Sequence, residues 1–264
     1  GVASSHVALG SKTLTLSNGS TTYAGIIGGA GGGLTLSAGT ETLSGANTYT
    51  GTTTINGGTL QIGAGGTTGT LGSGAVVDNA TLTFNRSNAL TVANAISGSG
   101  GLVQAGGGTT SLMASNSYSG TTTISAGTLN ANSTTAIGDG SATNTLIFNG
   151  GTLQASGTIT SPSTRSVTMT GAGTIDANGN AVNIAGAVDG AGALNLTGNG
   201  TVTFGGAVGA TTALSSLMSL RAASQAAPRA TARRVAEATS DACRYATMPP
   251  ASAMSDSTKN GSVN

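Results

Sequence analysis

One segment of this chain occurs twice. Leu43-Ser-Gly-Ala-Asn-Thr-Tyr49-Thr-Gly51-Thr-Thr-Thr-Ile55-Asn-Gly-Gly58-Thr-Leu60 returns 69 residues later as Leu112-Met-Ala-Ser-Asn-Ser-Tyr118-Ser-Gly120-Thr-Thr-Thr-Ile124-Ser-Ala-Gly127-Thr-Leu129. Reduced forms follow as Gly151-Thr-Leu153-Gln-Ala155 and Gly173-Thr-Ile175-Asp-Ala177. A second motif, Ile96-Ser-Gly98-Ser-Gly100-Gly-Leu102, is echoed by Val188-Asp-Gly190-Ala-Gly192-Ala-Leu194, and Ile27 to Leu34 is a version one residue longer. Two motifs that recur in the same order mark a repeat architecture, which restricts the chain to folds built by stacking one unit on the next.

Each unit reads as short strands, such as Thr52 to Ile55 and Thr59 to Ile62, divided by Gly and Asn turns. Leu, Ile, Val and Ala are expected to point inward, and Thr, Ser, Asn and Gln, Thr122 among them, outward. Such a strand cannot bury its apolar face alone. Winding into stacked coils solves this, because each coil pairs with those above and below. With about 20–24 residues per coil, the 69-residue recurrence is about three coils and residues 1–210 make roughly nine or ten. At about 4.8 Å per layer the rod would be some 45 Å long. The expected fold is all-β, a β-solenoid, specifically a right-handed parallel β-helix of three faces. Replacing inward Ile124 or Leu129 by Asp is expected to be severe, and outward Thr122 by Ser nearly silent. Tyr49 and Tyr118 are expected to pack their rings along the coil with the hydroxyl wet.

Composition agrees. Glycine is 45 of 264 residues, without the period of collagen, and corners needing positive φ use it. Charged residues are only 6% and the formal net charge is +1, as stacking in register requires, since like charges opposite one another destabilise. Disordered chains carry few β-branched residues and high net charge; this one does neither. The single Cys243 allows no internal disulfide, and no apolar run is long enough to span a bilayer as a helix. No signal peptide is visible, and the chain opens on Gly1 rather than Met, so the sequence is read as a fragment.

The composition changes near residue 213. Residues 1–210 hold 44 of the glycines and a charge of −2; residues 211–264 hold one glycine, five arginines and a charge of +3. The chain therefore divides into 1–212, the β-helix, and 213–264, an Arg/Ala-rich tail read as irregular or weakly helical, with Pro249-Pro250 ending any helix. Three readings stay open for the tail: a product of translation out of frame, a disordered linker, or a basic arm. With only Tyr245 as an aromatic, nucleic acid is not an expected partner.

Chemistry is hard to find. The acids of 1–210 are five and scattered, and Asp176 and Asp189, the nearest pair, read as solvated turn residues rather than a catalytic pair. His6 is the one histidine and has no Gly-x-Ser-x-Gly elbow to serve. Gly28 to Gly33 lacks the Lys-Ser/Thr ending of a phosphate loop and reads as a corner. Gly171-Ala-Gly173-Thr-Ile-Asp176 is wrongly spaced and unrepeated for a calcium nonapeptide repeat. No catalytic residue, cofactor or metal is expected. The residues that define the repeat are Leu43, Tyr49, Gly51, Ile55, Gly58 and Leu60, with Leu112, Tyr118, Gly120, Ile124, Gly127 and Leu129 as their counterparts.

These residues resemble the passenger-associated transport repeat of type V autotransporters, also described as the autotransporter-associated β-strand repeat. The likeness rests on Leu-x-Gly-x-Asn-Thr-Tyr-Thr-Gly-x-Thr-x-Ile-x-x-Gly-Thr-Leu-x-Ile over Leu43 to Ile62, with Leu112 to Ala131 as the second copy, in which Met113-Ala114 replaces Ser-Gly. The resemblance implies export through the outer membrane by a C-terminal β-barrel translocator, absent from this sequence, and display at the bacterial cell surface or secretion. It implies a structural stalk that aids secretion and adhesion, with ligands on host or neighbouring cells as partners. A β-helical carbohydrate-active enzyme and a haemagglutinin-like exoprotein secreted through a partner pore are the alternatives.

Overall fold

A computed structural model describes residues 5–219. Almost all of their regular structure is short parallel strand, wound as a β-solenoid of about 11 turns. Each turn lays one segment on each of three faces. The first face starts with His6–Ala8, Ile26–Gly29 and Thr48–Tyr49 and resumes with a seven-stranded sheet from Leu90–Val92 to Ser216–Ser219. The second carries five strands from Thr13–Leu16 to Ile96–Ser97 and three from Ile159–Ser161 to Thr201–Phe204. The third is one unbroken nine-stranded sheet from Thr22–Tyr23 to Val188–Asp189. Strand pairing reaches Ser219, where Ala193 to Leu196 align with Ser216 to Ser219, so the solenoid runs past the expected boundary at 212. Cys243, Pro249-Pro250 and most of the Arg/Ala-rich tail lie outside the described residues.

Register explains the core. Leu43, Ile62, Phe84, Gln104 and Ile124 stack in a single file on the third face, one turn apart. All but Gln104 are apolar, and each is buried on account of the same pleat. Gln104 takes an apolar slot because its Nε2 donates to the Gly106 carbonyl at 2.7 Å, two residues along its own corner. Hydrogen bonding lowers the cost of burying an amide, and here it serves the nitrogen alone, since Oε1 has no partner among the described residues.

That file corrects one expectation. Leu112 does not lie in it; Leu112 pairs with Val92 and Ala131 on the first face. Likewise Leu60 belongs to the file of Leu82, Leu102 and Thr122, whereas Leu129 lies in that of Leu90, Thr110 and Leu153. The 69-residue recurrence is therefore three turns and one face, and the second copy is rotated to the next face. The three faces use strands of similar length, so the repeat is defined by its corners and not by the face it occupies.

The second face is interrupted in the longest turns. There Thr134–Ile137 forms a single 3-10 turn in place of a strand, stacked between Asn116, whose N–H donates to Thr135, and Thr160, whose N–H donates to Thr134 Oγ1. The loop that follows is fastened from within by Arg165, which is 1% exposed. Its Nε and Nη2 donate to Asn144 Oδ1, and Nη2 also reaches the carbonyls of Ile137 and Gly138.

Candidate functional site

The repeat builds a corner unit. Leu43, Tyr49, Ile55 and Leu60 step once per face, all at 0% exposure, and Leu112, Tyr118, Ile124 and Leu129 do the same one face on. Between them the polar positions make the same bonds twice. Asn47 Oδ1 accepts from Ile27 N–H in the coil before, and Asn116 Oδ1 accepts from Ile96 N–H. Asn47 Nδ2 donates forward to Thr70 O, and Asn116 Nδ2 to Ala136 O. Each asparagine thus staples three successive coils through backbone groups that a corner leaves without ladder partners.

The tyrosine follows two residues on. Tyr49 Oη lies 2.7 Å from Thr53 Oγ1, and Tyr118 Oη 2.7 Å from Thr122 Oγ1. Burial pushes both phenols above the ordinary tyrosine range. The hydroxyls are enclosed, not wet as the sequence suggested. The reason is that Thr53 and Thr122 start their strands on the inward pleat, with Thr54 and Thr123 turned outward between them and the isoleucines. Thr122 is an inward residue, contrary to the expectation from its polarity.

Glycine closes the unit where backbone meets backbone. A Cβ on Gly51 would lie 2.6 Å from Gly32 O, and one on Gly120 2.3 Å from Gly100 O. Gly58 and Gly127 have φ of +78° and +56°. Gly28 to Gly33 is a corner of the same kind, stacked on Gly10 and covered by Gly51, whose N–H donates to Gly32 O. A strand, Gly33–Leu36, follows it rather than a helix.

The charged groups stay apart. Asp176 and Asp189 sit on different faces: Asp176 accepts from Gln154 Nε2 and Asn178 N–H, Asp189 from Thr211 N–H. Two other acids are not solvated turn residues. Glu41 occupies an inward slot opposite Leu60, with Thr21 Oγ1 donating to its carboxylate, and Asp78 is 1% exposed opposite Ile55. Nothing in the sequence distinguished these two from surface acids except the pleat, which places every second strand residue inside. Among the described residues no three His, Cys, Asp or Glu side chains come together to hold a metal. His6 lies on the first coil, exposed. The apolar trough lined by Leu14, Leu16, Tyr23, Ile27 and Leu43 is the core reaching the first described coil, not a cleft in a face.

The outer faces are polar ladders. On the first face Asn130 Nδ2 donates to Gln154 Oε1, and Gln154 Nε2 donates to Asp176 Oδ2, each at 2.8 Å. Thr109, Thr128, Thr152 and Thr174 line the neighbouring file. Such a surface offers many separate hydrogen-bonding groups and little charge.

Residues 36–62 and 102–131 match the family model described as the passenger-associated-transport-repeat. Both matches end with the two repeat copies, at Ile62 and Ala131. A Brucella suis biovar 1 (strain 1330) protein described as adhesin BmaC autotransporter is 52% identical over 69 residues, which is 25% of this chain and 2% of that relative. No solved structure matches significantly. Two segments of the chain thus match the passenger-associated-transport-repeat, and the described residues that contain them are wound as a β-solenoid.

Proposed function

We propose that this chain is a structural stalk of a surface-displayed passenger, aiding its passage through the outer membrane and contributing to adhesion. The observation that carries the reading is the stacking of about 11 turns around one shared apolar core, with polar ladders outside. A solenoid whose coils pair only with their neighbours can fold progressively as it emerges from a pore, each coil templating the next. The partner for export is an outer-membrane β-barrel translocator, and the protein works at the cell surface or beyond it. Likeness to an autotransporter described as an adhesin supports the adhesive part.

The competing reading, a carbohydrate-active enzyme, needs acids converging on one cleft. Asp176 and Asp189 are on different faces, and Glu41 and Asp78 point into the core. The stalk is therefore the better account of these residues.

The whole chain, placed ahead of a β-barrel translocator in a Gram-negative cell, should reach the surface and raise attachment between cells or to host cells above that of the barrel alone. Retention in the periplasm would overturn the export role. Surface display without added attachment would overturn the adhesive one.

A further inference from the structure

Five Asn-Gly pairs lie among the described residues, all at corners: Asn18-Gly19, Asn56-Gly57, Asn149-Gly150, Asn178-Gly179 and Asn199-Gly200. An asparagine followed by glycine can modify itself. The glycine nitrogen attacks the side-chain Cγ, a C–N bond forms, the carboxamide C–N bond breaks, and the glycine amide proton passes through water to the departing nitrogen, which leaves as ammonia. Water then opens the five-membered imide at either carbonyl, giving aspartate or isoaspartate. The reaction needs a glycine N–H that is not tied up and a side chain free to swing over it. Glycine favours it because no Cβ blocks the approach.

The fold sorts the five. Gly19 is buried and its N–H donates to Ala38 O at 2.8 Å. The Asn178 carboxamide is tied to Ala155 O at 3.2 Å. Asn56, Asn149 and Asn199 are exposed, make no side-chain hydrogen bond among the described residues, and precede glycines whose N–H groups are likewise unbonded. Two of the three lie in the same pentapeptide, Asn-Gly-Gly-Thr-Leu, at 56–60 and 149–153. The second repeat copy supplies a built-in contrast, since Ser125-Ala126 makes the corner that Asn56-Gly57 makes in the first.

We propose that Asn56, Asn149 and Asn199 are sites of spontaneous conversion to aspartate and isoaspartate in the folded protein, and that Asn18 and Asn178 are protected by the solenoid. Conversion places a carboxylate on an outer face that has few charges. Where isoaspartate forms, it also inserts an extra backbone carbon at a corner, and strand register is sensitive to such a change.

The test is peptide mapping of the whole purified chain during storage at mildly alkaline pH, following the amide-to-acid mass rise and isoaspartate at each site, with a urea-unfolded sample alongside. In the folded chain Asn56, Asn149 and Asn199 should convert about tenfold faster than Asn18 and Asn178, the factor set by the one hydrogen bond that protects each of the latter. Unfolding should bring the five rates together. Asn56→Ser, which copies the Ser125 corner, should keep the fold and lose only its own signal. Equal rates at all five sites in the folded chain, or no conversion at Asn56, Asn149 and Asn199, would overturn the proposal.

Discussion

Tyr118 and Thr122 join their hydroxyls, 2.7 Å apart, wholly inside the core. Thr122 Oγ1 also leans toward Ile137 O at 3.4 Å, so the pair spans neighbouring coils. Removing the threonine hydroxyl while keeping its shape would leave a buried phenol with no partner, whereas serine keeps the bond and loses one methyl. Thr122→Val should therefore destabilise by about 1–3 kcal/mol and Thr122→Ser by about 1 kcal/mol. Equilibrium denaturation of both variants checks the order, and a harmless Thr122→Val would mean that the hydroxyl pair contributes nothing.

Tyr23 gives the opposite case. It sits in the first described coil, and the residue four places on is Ile27, where Tyr49 and Tyr118 have threonine. Its buried hydroxyl has no hydrogen-bond partner among the described residues. Tyr23→Phe should leave stability unchanged or raise it slightly, while Tyr49→Phe should cost about 1 kcal/mol. Thermal midpoints of the two variants, measured side by side, decide this.

Asp78 makes stability depend on pH. Burial raises its pKa from 3.8 to about 6, against the pull of the Ala80 and Leu82 N–H groups, and Oδ2 has no partner. The folded state thus holds the proton more tightly than the unfolded chain. The stabilisation is complete below the unfolded value near 3.8 and is lost as pH rises through about 6. Asp78→Asn should be more stable than the parent at neutral pH, by on the order of 1 kcal/mol once its own unpaired Nδ2 is counted. Near pH 4 the advantage should vanish. Denaturation midpoints across that pH range would show the two curves meeting on the acid side; an advantage independent of pH would exclude the carboxylate as its source.

The parts of this fold that were legible in the sequence are those fixed by local rules. Alternation around Ile55 and Leu60 implied strands, glycine at 51 and 58 implied corners, and recurrence implied stacking. Face assignment was not legible, because Leu43 and Leu112 follow identical local instructions on different faces, and only the summed length of the intervening turns decides which face each takes. Polarity also misled. Thr122, Gln104 and Asp78 occupy inward slots that chemistry alone would give to apolar residues. Their partners, Tyr118, Gly106 and Ala80, lie only two to four residues away, yet no local pattern marks them as partners until the pleat is known.

Nothing in the sequence marks Arg165 as structural, yet it holds the loop between Thr134–Ile137 and Leu146–Phe148 from inside. Its guanidinium reaches Asn144 and two carbonyls at once, and burial lowers its pKa. Lysine has no fork with which to reach all three acceptors. Arg165→Lys should therefore destabilise nearly as much as Arg165→Met, each by about 3 kcal/mol, since both give up buried charge-assisted hydrogen bonds and leave Gly138 O without its donor. Hydrogen exchange should show the added opening confined to 134–146 and its neighbouring coils. Uniform loss of protection along the solenoid would count against the loop as the element that Arg165 holds.

Face rotation has its own test in two glycines. Gly58 and Gly127 are equivalent in the repeat but lie at corners one face apart, and both adopt positive φ. A Cβ would meet Gly39 O at 1.9 Å in one and Gly108 O at 2.3 Å in the other. Neither clash can be relieved by a side-chain movement, because the opposing atom is a carbonyl of the coil below. Gly58→Ala and Gly127→Ala should each cost at least about 2 kcal/mol. Gly66 lacks positive φ and has open space around its missing Cβ, so Gly66→Ala should be neutral or gain a few tenths of a kcal/mol from the stiffer unfolded chain. Matched losses at 58 and 127 beside a silent 66 would show that corner chemistry, repeated on whichever face it falls, sets the stability of the stack. A large loss at only one of the two would mean that the faces are not equivalent and that the repeat is tied to a single side of the solenoid.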